Sequence, residues 1–289
     1  MTLWATSDLH VAYDENRDAV DEMQQRPGDW LILAGDTGET LAHLEYVLDR
    51  VTDRFERVVW TPGNHDLWTP RGWPSGARGL AHYERLVAAC QRRGVLTPED
   101  PFALWPGASV PTRIAPIFTL YDYSFRPDTV PHHRAVEWAA DEGIRCADET
   151  LLAPDPYASR EAWCHARVEA TAARLSATPA GSRLVLVGHF PLRRDLAVLP
   201  LIPRFSIWCG TRLTEQWHTD FPVDVVVSGH LHMRSTRWRN GVRFEEVSLG
   251  YPKQWDVPRG ADAYLRQILP EPAIRAEGWG RDDTVVRHR

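Results

Sequence analysis

The chain has little lysine and no excess of positive charge. Its 289 residues include one lysine, Lys253, and the formal net charge is −6. This balance excludes a general electrostatic attraction to nucleic acid or to an anionic membrane, so we expect neither as a partner. A phosphate-bearing substrate would have to be held by charges placed locally.

Cysteine is also scarce. The four cysteines form no C-x-x-C pair and lie far apart, at Cys90, Cys146, Cys164 and Cys209. This spacing argues against a structural zinc site and against a disulfide framework, and it is typical of proteins in a reducing cytosol.

Long apolar segments are absent. No run approaches the roughly 20 apolar residues of a transmembrane helix, and residues 1–6 lack the flanks of a signal peptide. We therefore expect a cytoplasmic protein. With 43% hydrophobic residues, the chain can bury the core of one large α/β domain or of two small ones.

The most informative pattern is a series of short apolar runs that end in polar residues. The run 30–34 has the composition of a strand buried on both faces, and Gly35 and Asp36 follow it. Ligands bind at the carboxyl ends of strands in α/β folds, although Asp36 alone could simply cap a helix. Four further predicted strand ends carry comparable residues: Asp8 and His10; Asn64, His65 and Asp66; His189; His230 and His232.

These side chains are of types that bind metal. The i, i+2 spacing of Asp8 with His10, and of His230 with His232, puts both members of each pair on one face of an extended chain. Imidazole, carboxylate and amide groups together suit manganese, iron or zinc. They are too many for one tetrahedral ion, and two ions about 3.5–4 Å apart that share a carboxylate would use them all. The pattern therefore predicts a dinuclear site, with Mn²⁺ as the first candidate.

Five ordered motifs of the chain resemble the signatures of the calcineurin-like metallophosphoesterase superfamily. They are Asp8-Leu9-His10, Gly35-Asp36, Gly63-Asn64-His65-Asp66, Gly188-His189 and Gly229-His230-Leu231-His232. The resemblance implies an α/β fold, a four-layer α-β-β-α sandwich of two mixed sheets with a dinuclear metal site at the strand ends. It also implies a hydrolase that cleaves a phosphate mono- or diester by attack of a metal-bridging hydroxide.

The resemblance also implies a role for each motif residue. His65 would face the scissile phosphate as general acid or electrostatic stabiliser, and Asp66 would orient it. Asp36 would bridge the two ions. The other ligands would divide into Asp8, His10 and His232 for one ion and Asn64, His189 and His230 for the other.

Departures from the family motifs narrow the subclass. The second motif reads Gly35-Asp36-Thr37-Gly38-Glu39 and lacks the Asp-Arg-Gly that marks Ser/Thr protein phosphatases, and Asp66 stands where those enzymes carry Glu. No tyrosine follows Asp36 as in purple acid phosphatases. The subclass that these departures favour is a bacterial-type phosphatase or phosphodiesterase with a small-molecule phosphate ester substrate. The alternatives are a nuclease of the same superfamily and a non-catalytic interaction protein with the same fold.

Substrate contacts are harder to identify. Arg193 and Arg194 closely follow His189 and could reach phosphate oxygens, although solvated surface charge explains them as well. Aromatic residues near the motifs could form a wall against the substrate or could pack in the core: Trp68, Trp73, Tyr121, Tyr123, Trp208 and Trp255.

The chain divides into a catalytic domain over residues 1–270 and a polar tail over 271–289. Residues 41–55 have the apolar spacing of an amphipathic helix, and residues 112–123 alternate enough for one or two strands. Residues 125–180 form an insertion, either a lid over the site or a peripheral helix pair without a role. The sequence does not indicate an oligomeric state.

Overall fold

The computed structural model describes residues 1–69, 72, 76–273, 279–282 and 284–288 of the chain. Its strands are β1 (Leu3–Thr6), β2 (Arg26–Leu33), β3 (Phe55–Trp60), β4 (Ala103–Trp105), β5 (Thr112–Pro116), β6 (Arg183–Val187), β7 (Val223–Ser228), β8 (Ser235–Arg239), β9 (Val242–Glu246), β10 (Arg266–Leu269) and β11 (Val285–Arg287). Its helices are α1 (Asp14–Asp21), α2 (Leu41–Val51), α3 (Gly79–Gln91), α4 (Ala135–Ala140), α5 (Asp148–Leu151), α6 (Arg160–Ser176) and α7 (Trp217–Asp220).

The strands form two mixed sheets. The smaller has the order β10-β1-β2-β3, in which β1, β2 and β3 are parallel and β10 is antiparallel. The larger has the order β11-β8-β9-β7-β6-β5-β4. Its central strands β9, β7, β6 and β5 are parallel, and the outer pairings are antiparallel. Several parallel strands in each sheet therefore end at a common edge.

Alternate residues of the central strands are buried on opposite faces. Ile32 of β2 and Val185 of β6 lie in one buried cluster that fills the space between the sheets. Leu31 and Leu33 belong to a second cluster, with Leu44 of α2 and other helical residues. The predicted arrangement of two facing mixed sheets with helices outside is confirmed.

The helix α2 shows why the first helical layer forms where it does. Its N-cap Thr40 accepts a hydrogen bond from the backbone N–H of His43 (3.1 Å), which satisfies one of the free donors at a helix start. The residues that α2 buries are Leu44, Val47, Leu48 and Val51, at the spacing of one helix face. The helix ends at Val51, four residues before the predicted limit.

The stretch predicted as an insertion, 125–180, contains α4, α5 and α6. Trp163 of α6 is fully buried and meets Phe118 edge to face, with ring centroids 5.5 Å apart. Arg160 of α6 donates to the Tyr123 hydroxyl (3.0 Å) and to the carbonyl of Asp148 (3.2 Å). The start of α5 is therefore held against the body of the domain.

The last residues of the chain contribute to the larger sheet. Within the stretch predicted as a polar tail, β11 pairs antiparallel with β8. No helix in the described ranges is long and apolar enough to cross a membrane.

Candidate metal centre

The motif residues lie at the carboxyl ends of β1, β2, β3, β6 and β7, where the edges of the two sheets meet. The backbone N–H of Asp8 donates to the carbonyl of Gly35 (2.9 Å). The backbone N–H of His230, from the other sheet, donates to Asp8 Oδ2 (3.0 Å). These bonds join strand ends that are far apart in the sequence.

Five of the motif residues adopt a backbone conformation that is uncommon for residues other than glycine. Their φ angles are 53° for Asp8, 42° for His10, 53° for Asp36, 72° for His230 and 52° for His232. Such conformations concentrate at functional sites, where the surrounding structure imposes them. The unusual backbone conformation of these five residues is therefore imposed by the site, into which their side chains must point.

Two of the motif glycines are required by close packing against carboxylates. A Cβ atom at Gly63 would collide with the Asp36 side chain, and one at Gly229 would collide with the Asp8 side chain. Both positions tolerate only hydrogen, because the neighbouring group is a buried carboxylate that cannot move away.

Asp8, His10 and His232 form the first group of potential ligands. Gln254 Oε1 accepts a hydrogen bond from the backbone N–H of Tyr251 (2.8 Å) and lies 2.6 Å from His232 Nδ1. An amide oxygen only accepts, so Nδ1 carries a ring hydrogen, and in the neutral ring Nε2 presents a lone pair. Against the effect of burial, the Asp8 carboxylate raises the pKa of His232, so the metal-free ring can also carry a hydrogen on Nε2. This Nε2 lies 2.9 Å from Asp8 Oδ1 and 3.3 Å from His10 Nε2.

Asn64, His189 and His230 form the second group, next to Asp36. His189 Nδ1 lies 2.9 Å from the carbonyl oxygen of Ala34 and must donate to it, which leaves a lone pair on Nε2. Nε2 lies 3.2 Å from Asn64 Oδ1 and 3.5 Å from Asp36 Oδ2. His230 Nδ1 lies 3.1 Å from the same oxygen of Asn64.

His189 Nε2 and Asn64 Oδ1 face each other with lone pairs and with no hydrogen between them. Such contacts repel in a buried site unless a cation lies among the atoms. Oxygen and imidazole nitrogen are suitable ligands for a divalent transition metal. The residues therefore fit the metal ions that the motif pattern predicts.

The electrostatics of the site agree with this interpretation. Burial lowers the pKa of His10, His189 and His230, so these rings stay neutral and able to bind metal. Burial, with repulsion from Asp8 and Asp66, raises the pKa of Asp36 well above its ordinary value. Nearby positive charge would be needed to keep this carboxyl ionised.

His65 lies beside the ligand groups and lines the cavity above them. Its Nε2 is 3.9 Å from Asp36 Oδ2, and its ring packs on Trp68 with centroids 3.7 Å apart. Its Nδ1 lies 3.8 Å from Glu39 Oε1, and interaction with His65 lowers the pKa of Glu39. Glu39, from the second motif, is therefore the carboxylate that faces Nδ1 of His65.

The structure corrects the expectation that Asp66 orients His65. Asp66 Oδ2 accepts hydrogen bonds from the backbone N–H groups of Asp36 (2.8 Å) and Gly63 (2.9 Å). Oδ1 accepts from the backbone N–H (3.1 Å) and the hydroxyl of Thr37. Burial raises the pKa of Asp66 to about 6, against the opposing effect of these bonds. Both oxygens of Asp66 bond to the turns that carry Asp36 and Asn64. The Asp66 carboxylate therefore holds these turns and does not orient the His65 ring.

The structure also corrects the expected phosphate contacts. Arg193 bonds to Asp195 (2.8 Å) and to the carbonyl of Glu215 (3.2 Å), and neither Arg193 nor Arg194 lines the cavity at the site. Arg145 lines this cavity and makes no hydrogen bond or ion pair within the described part of the chain. No sequence pattern indicated Arg145, because it lies in the insertion far from every motif.

The cavity above the ligand groups has a volume of about 340 Å³. Asp36, Asn64, His65, His230 and His232 lie in its wall. Apolar lining is provided by Trp68, Leu199, Ile202, Phe205 and Leu231. The site therefore combines polar ligand groups with an apolar lining.

Among Trp68, Tyr121, Tyr123, Trp208 and Trp255, Trp68 alone lines the cavity. Tyr121, Tyr123 and Trp208 are buried, and Trp255 donates to Asn16 Oδ1 (3.1 Å). Trp73 lies outside the described residues.

Comparison with known proteins agrees with the fold and the site. Residues 1–234 match the family model of the calcineurin-like phosphoesterases. The chain is 45% identical over 273 residues, 94% of this chain and 84% of the other, to the acyl-carrier-protein phosphodiesterase PptH of Mycobacterium tuberculosis. The crystal structure of phosphopantetheinyl hydrolase (PptH) from the same organism matches with a TM-score of 0.90 and 44% identity, covering 95% of this chain and 98% of that one.

The chain therefore belongs to the calcineurin-like phosphoesterase family. The predicted family and the predicted enzyme class, a metal-dependent phosphoesterase, are both confirmed.

The bonding of Asp66 leads to a test. In Asp66→Ala, three backbone N–H groups lose their partner, and a buried unpaired donor costs about 1–3 kcal/mol. We expect the free energy of unfolding of the metal-free protein to fall by about 3 kcal/mol or more, measured by urea denaturation. Glu39→Ala is the control, because the side chain is 42% exposed, and it should change stability by less than about 0.5 kcal/mol. Unchanged stability in Asp66→Ala would contradict the assigned role.

Proposed function

We propose that this protein is a phosphodiesterase that releases a phosphopantetheine-type group from a carrier protein, with two divalent ions in its site. The observation that supports this most directly is the similarity to PptH along 94% of the chain. A phosphodiesterase that acts on an acyl-carrier protein must cleave a diester in which one alcohol belongs to that protein. A protein-bound phosphate ester thus replaces the small-molecule substrate suggested by the sequence.

In this proposal, the two groups of side chains hold one ion each. Asp8, His10 and His232 would hold the first ion, and Asn64, His189 and His230 would hold the second. Asp36 lies between the groups, with Oδ2 4.0 Å from His10 Nε2 and 3.5 Å from His189 Nε2, so it would serve both ions. Mn²⁺ is the first candidate, with iron or zinc as alternatives.

Bound divalent ions would supply a Lewis acid for the phosphate oxygens and would lower the pKa of the attacking water. The residues of the chain do the positioning. Asp36 and Asp8 provide the negative charge that balances the ions. The neutral imidazoles of His189 and His230 would add lone pairs without adding charge.

His65 supports the departing oxygen in this mechanism. It lies at the cavity edge with a side chain that is 12% exposed, and Glu39 faces its other ring nitrogen. In an imidazolium both ring nitrogens carry a proton, so Nε2 can donate to the leaving oxygen while Nδ1 faces the Glu39 carboxylate. His65 can therefore protonate the alkoxide as it leaves, and Glu39 acts through it.

The cavity walls fit a phosphate with a slender, partly apolar arm. Arg145 can pair with an anionic group of the substrate, because guanidinium groups bind phosphate and carboxylate through several donors. Leu199, Ile202 and Phe205 offer apolar contact to the arm. Leu201, between Leu199 and Ile202 in the chain, is 95% exposed and offers apolar surface beside the cavity.

Replacing His65 distinguishes an acid catalyst from a ligand. His65→Ala should lower kcat for a diester with a poor leaving group by about 10²–10⁴-fold. The number of manganese ions bound per chain, measured by elemental analysis, should not change. For bis(4-nitrophenyl) phosphate, whose leaving group needs no proton, the loss should be smaller. A parallel loss of metal and turnover would identify His65 as a ligand.

A second experiment tests the substrate. Purified protein with added Mn²⁺ is incubated with a phosphopantetheine-bearing acyl-carrier protein, and the release of the arm is followed by mass spectrometry. We expect release, with kcat/KM about tenfold or more lower in Arg145→Ala, in line with the loss of a charged hydrogen bond of about 1.5–3 kcal/mol. Arg194→Ala, the control outside the cavity, should behave like the wild type. Hydrolysis of free phosphodiesters with no release from the carrier protein would contradict the proposal.

A further inference from the structure

Asp148, at the start of α5, is a fully buried carboxylate in the insertion that no motif includes. Its Oδ1 accepts hydrogen bonds from Asn64 Nδ2 (3.0 Å) and from Trp68 Nε1 (2.7 Å). Its Oδ2 accepts from the Tyr121 hydroxyl (3.0 Å). All three donors to the carboxylate are neutral, and the Arg160 guanidinium bonds to the backbone carbonyl of the same residue (3.2 Å).

The bond to Asn64 decides which end of the amide faces the metal centre. A side-chain amide can rotate by half a turn, and only its oxygen has lone pairs suited to a metal. A carboxylate accepts hydrogen bonds and cannot donate them, so Asp148 holds the nitrogen of Asn64 on its own side. The oxygen then faces His189 Nε2 at 3.2 Å and His230 Nδ1 at 3.1 Å.

The same carboxylate also holds the wall beside the site. Trp68 donates to Asp148, and the Trp68 ring packs on His65 with centroids 3.7 Å apart. The residues just before Asp148 in the chain, Arg145, Cys146 and Ala147, line the cavity. One short segment therefore forms part of the cavity wall and contacts a ligand residue from behind.

We propose that Asp148 is a positioning residue for the second metal ion, acting through the amide of Asn64. The inference rests on the proposed function, because it takes Asn64 as a ligand of that ion. It gives the insertion a definite task, since docking of α5 completes a site whose ligands all lie elsewhere in the chain. The affinity for the first ion, held by Asp8, His10 and His232, does not depend on this contact.

The test is a titration of metal-free protein with Mn²⁺, followed by calorimetry and by the electron paramagnetic resonance of free Mn²⁺. We expect two binding events in the wild type. In Asp148→Ala, the affinity of one ion should fall about 10–100-fold, the usual effect of losing a residue that orients a ligand. Asp148→Asn should restore most of it, because its amide oxygen can still accept from Asn64 and Trp68 while its nitrogen donates to Tyr121.

Two controls separate positioning from general loss of structure. Asp122 is a buried carboxylate of the same region that accepts from Thr211 Oγ1 (2.8 Å) and contacts no ligand residue, so Asp122→Ala should leave both affinities unchanged. In the Asn64→Ala background, Asp148→Ala should cause no further loss, because the two residues act through one contact.

The possible results have distinct meanings. Equal weakening of both ions in Asp148→Ala, an additive loss in the double variant, or the same effect in Asp122→Ala would overturn the role of Asp148 and leave the proposed function intact. A wild-type protein that binds fewer than two ions would overturn the ligand assignment and this inference together. Normal two-ion binding without release from a carrier protein would contradict only the proposed substrate.

Discussion

The arrangement of the site depends on close contacts between nitrogen and oxygen atoms where the edges of the two sheets meet. His232 Nε2 and Asp8 Oδ1 face each other at 2.9 Å, and His189 Nε2 faces Asn64 Oδ1 at 3.2 Å. The other nitrogen of His189 donates to a backbone carbonyl, so its contact with Asn64 has no hydrogen to share, and, against the effect of burial, the Asp8 carboxylate raises the pKa of His232. A divalent cation among these atoms would satisfy both contacts, and the rest of the site is arranged to present them to it.

Much of the surrounding structure holds this arrangement in place. Positive φ angles at Asp8 and Asp36 turn their side chains toward the shared edge, and Gly63 lets the Asp36 carboxylate lie directly against the backbone. Asp66 binds the N–H groups of the same turns. Strain and burial of charge at the site are therefore offset by hydrogen bonds behind it and by the apolar packing between the sheets.

The sequence predicted the features that depend on local pattern. The strands before Asp36 and His189 are short apolar runs, and the amphipathic spacing of α2 is regular. Only part of 112–123 is a strand, because β5 ends at Pro116 and the following residues bend into the core. Tertiary contacts such as Asp66 with backbone amides, Glu39 beside His65, and Arg145 in the cavity could not be predicted, because they join segments with no shared motif. Asp148 could not be predicted for the same reason, since its partner Asn64 lies 84 residues away in the sequence.

The central claim is that the convergent side chains hold two ions that share Asp36. Crystals grown with Mn²⁺ and measured at the manganese absorption edge test it directly. We expect two anomalous peaks about 3.5–4 Å apart. Both should lie within bonding distance of the Asp36 carboxylate, and Asn64 Oδ1 should bind one of them. A single peak, or two peaks of which only one touches Asp36, would contradict it.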